Sequence, residues 1–79
     1  MAYIDMDIDT TNPVTRNPII SALRAMDKLL PGQVLKITTN SAGVVGQFER
    51  VCQQLGYQLL EMIDFEDEYT LLVKKATRH

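Results

Sequence analysis

With 79 residues, 8.9 kDa, 46% hydrophobic and 23% charged side chains, the chain has the makeup of one folded domain spanning residues 1–79. It is too short for a large cofactor-enclosing enzyme fold, and no cofactor is implied. Eight Lys/Arg against ten Asp/Glu give a net charge of −2, which excludes a broadly basic DNA-binding or membrane-binding surface.

Residues Tyr3 to Asp9 alternate, with Ile4, Met6 and Ile8 facing a core and Asp5, Asp7 and Asp9 facing water, so a first strand is expected here. The same start, MAYIDMDIDT, lacks the basic and then apolar pattern of a signal peptide. No apolar run approaches the roughly 20 residues a bilayer span needs. The expectation is a cytoplasmic protein. A loop, TTNPVTRNP, follows the strand, and Asn17-Pro18 starts a helix because Asn caps a free amide and Pro tolerates the first helical position.

Ile19, Leu23, Met26 and Leu30 fall at helical spacing, and Ala22 and Ala25 permit close packing against a sheet. Pro31-Gly32 ends this helix. QVLKITT then reads as a second strand, with Val34, Lys36 and Thr38 opposite Leu35, Ile37 and Thr39. Asn40 or Ser41 caps a second helix whose Val44, Phe48, Val51 and Leu55 form the expected apolar stripe, with Cys52 beside it. Gly56 stops that helix, YQLLEMI forms a third strand, FEDE intervenes, and EYTLLVKK forms a fourth.

This order, β-α-β-α-β-β, defines an α/β (α+β) two-layer sandwich: a mixed four-stranded sheet with both helices on one face. The open face is available to a partner or to solvent. The five acidic residues from Glu61 to Glu68 read as a solubilising strand end and hairpin, and no metal site is expected there.

Chemistry-bearing residues are few. Cys52 is the only thiol, so the chain forms no intramolecular disulfide, and its place within a helix favours a structural role over a reactive one. His79, the only histidine, ends the sequence and makes a poor fixed base. One cysteine and one histidine cannot build a structural zinc site, and no phosphate-cradling glycine motif is present. Near TRNP, the helix start with Thr15, Arg16 and Asn17 offers a recognition site for a small anion or a partner's carboxylate. The aromatic residues do not match an RNA-recognition signature, which disfavours RNA; changes at Arg16 or Arg24 would test that class.

The loop and first helix resemble the TusA/SirA-like sulfur-carrier family, whose members carry D-x-x-G-x-x-C-P-x-P into a helix. Asp9 matches the opening Asp, Asn12 stands at the usual Gly, Thr15 at the carrier cysteine, Arg16 at the first Pro, and Pro18 matches the second. The helix IISALRAMDKLLPG and the later VCQQLGYQLL also resemble family segments, with Tyr57 where His is common. The resemblance implies the β-α-β-α-β-β fold and, for ordinary members, passage of persulfide sulfur from a cysteine desulfurase or related donor to an acceptor protein. Thr15 departs from it, because a hydroxyl cannot carry a persulfide. Two readings follow. One is a noncatalytic interaction or regulatory module that binds a protein partner, such as one of a sulfur-transfer pathway, through Asp9, Asn12, Thr15, Arg16, Asn17, Pro18 and Arg24. The other is a sulfurtransferase component that relays sulfur through Cys52.

Overall fold

The computed structural model describes residues 3–11 and 17–76. The elements run β1 (Met6–Asp9), α1 (Pro18–Lys28), β2 (Val34–Thr39), α2 (Ala42–Leu55), β3 (Gln58–Phe65) and β4 (Glu68–Lys74), the α+β order expected from the sequence. The sheet order is β1-β2-β4-β3. β1 lies parallel to β2, and β4 is antiparallel to both of its neighbours. β3 therefore runs parallel to β2, one strand away, and the β3–β4 hairpin returns the chain into the space between them.

The inner layer follows from pleating. Leu35 and Ile37 of β2 lie opposite Val73 and Leu71 of β4, all on one face. They pack with Ala22, Ala25 and Met26 of α1 and Val45, Phe48 and Cys52 of α2. Leu71, Leu72 and Val73 are all buried, so β4 carries apolar residues on both faces, as a central strand does.

β1 is shorter than the alternation suggests. Its ladder starts at Met6 opposite Leu35, and since β2 begins at Val34 there is little strand for Tyr3 and Ile4 to pair with; both are exposed. The three aspartates on its outer face also have individual tasks. The Val34 N–H donates to Asp5 Oδ2 at 2.8 Å, Lys36 Nζ lies 3.9 Å from Asp7, and Asp9 holds Thr11.

Both helices differ in rotation or length from the simple stripes. α1 stops at Lys28, because Leu29 adopts an extended conformation, φ −81° and ψ 149°. Leu29 still packs inward, whereas Leu30 has left the helical phase and is exposed. The two alanines let α1 approach the sheet closely and take the inward positions, leaving Ile19 and Leu23 half-buried. In α2 the inward line is Val45, Phe48 and Cys52, so Cys52 belongs to the core stripe itself. Val44 and Val51 are half-buried and Leu55 is half-exposed. The helix is turned so that one side of its apolar arc meets the sheet and the other faces α1.

Ser41 caps α2 by accepting from the Val44 N–H, and Gly56 ends it at φ 76°. The Cys52 carbonyl accepts both the Gly56 and Tyr57 N–H groups, a Schellman-type closure that favours glycine at the left-handed position. The hairpin turn is shorter than FEDE: Phe65 and Glu68 pair, leaving Glu66 and Asp67 as the two turn residues, at φ 51° and 63°. Both left-handed positions fit a type I′ turn, which matches the twist of paired strands. A register shift between Leu59 and Glu61 puts a bulge in β3 at Leu60.

Candidate functional site

The site begins where β1 ends. The Thr10 N–H and Oγ1 both donate to the Thr38 carbonyl, at 2.8 and 2.7 Å, fastening the exit of β1 to β2. One residue earlier, Asp9 Oδ1 accepts the Thr11 N–H at 2.9 Å and the Thr11 hydroxyl at 2.5 Å. These bonds, first from the hydroxyl and then from the amide, hold the Asp9 carboxyl below its ordinary value of 3.8, against a smaller opposing effect of burial. Asp9 thus fixes the direction in which the chain leaves the sheet.

The chain re-enters the described structure at Asn17. Its side-chain oxygen accepts the Ile20 N–H at 3.1 Å and its carbonyl accepts the Ser21 N–H, so Asn17 is the helix cap anticipated from the sequence, with Pro18 at the first helical position. Asn12, Thr15 and Arg16, the other loop residues singled out from the sequence, lie outside the described residues. Arg24 is exposed on α1, four positions after Ile20 and so one turn further along the same side.

Beside the start of α1 lies an open groove of about 360 Å³ between the two helices. Its floor is apolar, from Ile19, Ile20 and Val51, and its rim is polar, from Asn17, Arg50 and Gln54. The described lining includes no thiol, carboxylate or imidazole. It offers apolar contact, side-chain amides and one guanidinium. The contribution of α2 was missed at the level of sequence. Arg50 and Gln54 stand four apart on one helix and Val51 lies between them, but only the packing of α2 against α1 shows that they share a groove with Asn17.

Cys52 lies elsewhere, on the core side of α2. It is 2% exposed, packed in the same cluster as Phe48, Leu35 and Val73. Desolvation, reinforced by the negative charge of Glu49, pushes its thiol up from 9.0 to about 11. At neutral pH the thiol is held in its protonated form. Among the described residues no group of three His, Cys, Asp or Glu side chains is placed to hold a metal ion, and no helix is long and apolar enough to cross a membrane.

Four strands with two helices packed on one face define a two-layer α+β domain, with the groove between the helices beside the start of α1. The comparisons give the family. The model of Sulfurtransferase TusA matches residues 6–75. A Neisseria meningitidis serogroup A protein, named for the sulfur carrier class, is 31% identical over 67 residues, covering 85% of this chain and 90% of that protein. The sulfur carrier protein TusA of Allochromatium vinosum is 28% identical over 76 residues, covering 96% of this chain and all of the relative. The chain belongs to the TusA sulfur-carrier family.

Proposed function

We propose that this chain is a noncatalytic member of the family: a cytoplasmic protein-interaction or regulatory module, acting as one domain over residues 1–79, that engages a sulfur-transfer protein without carrying persulfide itself. The observation that carries this reading is the state of its only cysteine. A relay thiol must be exposed and ionised to attack and release a sulfur–sulfur bond, whereas Cys52 is buried and its thiolate is strongly disfavoured. Threonine at position 15, where the resemblance places the carrier cysteine, points the same way. The groove beside α1, with apolar floor and Arg50 at its rim, supports partner recognition.

The test is incubation of the native chain with a persulfide-loaded cysteine desulfurase, followed by intact-mass measurement and peptide mapping. The parent chain is expected to bind the desulfurase and gain no sulfur. Arg16→Ala should weaken the binding, and Thr15→Cys should gain one sulfur atom at the new thiol. Reproducible sulfur loading of Cys52 in the parent, with onward transfer to an acceptor, would establish the relay reading instead.

A further inference from the structure

β3 forms one edge of the sheet, at the opposite side from β1. β1 is therefore three strand spacings away, roughly 14 Å across the sheet. An edge strand presents unpaired backbone N–H and C=O groups, and proteins usually blunt such edges. Here the bulge at Leu60 interrupts regular pairing near the beginning of β3, but Glu61 through Phe65 then run in unbroken register with β4. Along this free segment, Met62, Ile63 and Phe65 are exposed by 47%, 44% and 68%. Ile63 and Phe65 lie on the sheet face away from the helices and Met62 on the helix side, so among the described residues this unpaired edge offers apolar groups on both faces to an added strand.

Charge decides which strand. Glu61, Asp64, Glu66, Asp67 and Glu68 supply half of the chain's ten carboxylates within eight consecutive residues that include no Lys or Arg. The residues directly opposite in β4 provide no cation either, since Glu61 faces Leu72 and Asp64 faces Tyr69. Among the described residues the ion pair is Asp7 with Lys36, on the other half of the sheet. Two copies joined through β3 would set two such acidic segments against each other, and like charges facing across a ladder are destabilising. A cationic strand meets no such opposition.

We propose that the β3 edge is a docking site for an extended segment of another protein, one that alternates apolar residues with Lys or Arg and adds to the sheet as a fifth strand. Backbone pairing with Glu61–Phe65 supplies the attachment, the exposed apolar side chains supply burial, and the flanking carboxylates select the sign of charge. The surface is separate from the groove beside α1, so its existence does not depend on how the family loop is used.

The test uses the full chain, isotopically labelled, and two peptide probes of about ten residues. One alternates lysine and valine and the other glutamate and valine, with N-methyl groups along one edge to prevent self-stacking. The lysine peptide is expected to shift the amide resonances of Glu61–Phe65 and to bind about tenfold more tightly than the glutamate peptide. That preference should collapse in about 1 M salt, where the screening length falls to about 3 Å. In Glu61→Lys/Asp64→Lys, two exposed changes outside the core that leave Glu66, Asp67 and Glu68 in place, the preference should shrink toward parity. Equal affinity of the parent for both probes, failure of the lysine peptide to bind, resonance shifts confined to the α1–α2 groove, or dimerisation of the chain through β3 would each overturn the proposal.

Discussion

Asp9 and Cys52 illustrate how neighbours set what a side chain can do. Both are acids, yet hydrogen bonds from Thr11 favour the charged form of one, while burial favours the neutral form of the other. For Cys52 the consequence extends to stability. A thiol whose pKa rises on folding destabilises the native state only where the unfolded chain has begun to lose its proton. The contribution is therefore constant below pH 9.0, and stability falls as pH rises from there toward about 11. The loss should be of order 1–3 kcal/mol. Denaturant melts across that interval should show this decline in the parent and a weaker one in Cys52→Ala. The variant should itself be less stable at neutral pH, because the thiol fills core volume beside Phe48. Equal pH slopes for parent and variant would place the thiol in contact with water. The same burial makes alkylation of native Cys52 slow and limited by opening of the fold.

At the level of elements, α2 shows how one substitution changes sign with backbone conformation. Gly46 lies in the exposed helix interior with nothing within 4 Å of an added Cβ, whereas Gly56 has equally open space but φ of +76°. Gly46→Ala should stabilise by up to about 1 kcal/mol through reduced chain entropy, and Gly56→Ala should destabilise by about 1 kcal/mol through left-handed strain. Melts of the two variants check this, and a shared sign would refute the conformational argument. Much of this element was legible beforehand: Ser41 and Gly56 mark its ends because capping and left-handed closure are local chemistry. Its rotation was not. Val44-Phe48-Val51-Leu55 and Val45-Phe48-Cys52 are both plausible stripes on one apolar arc, and only the position of α1 determines that Val51 borders the groove while Cys52 meets the sheet. The loop motif was similarly legible by resemblance, whereas the part of the groove built by Arg50 and Gln54 depends on residues distant in sequence.

Across the whole molecule, the strand count and layer arrangement follow from local patterns, but the tie between the end of β4 and the end of α1 does not. Lys75, the last residue of the fourth strand expected from the sequence, lies one residue beyond β4. Its Nζ donates to the Leu29 carbonyl at 2.6 Å and reaches the Asp27 carbonyl at 3.4 Å. Its backbone adds two bonds, accepting from Gly32 at 3.1 Å and donating to Gln33 at 2.9 Å. A single residue late in the chain therefore answers the free carbonyls at the C-terminus of α1 and holds the Pro31-Gly32 connection against the sheet, where a cation is favoured by the helix dipole. Lys75→Met keeps most of the aliphatic stem and the backbone bonds but removes the charged donor. It should lower unfolding free energy by about 1 kcal/mol with an unchanged denaturant slope. Lys74→Met removes the same charge from the neighbouring residue, whose ammonium makes no such bond among the described residues, and should shift stability by less than about 0.5 kcal/mol. Equal losses in the two variants would assign the effect to net charge rather than to the contact that closes the fold.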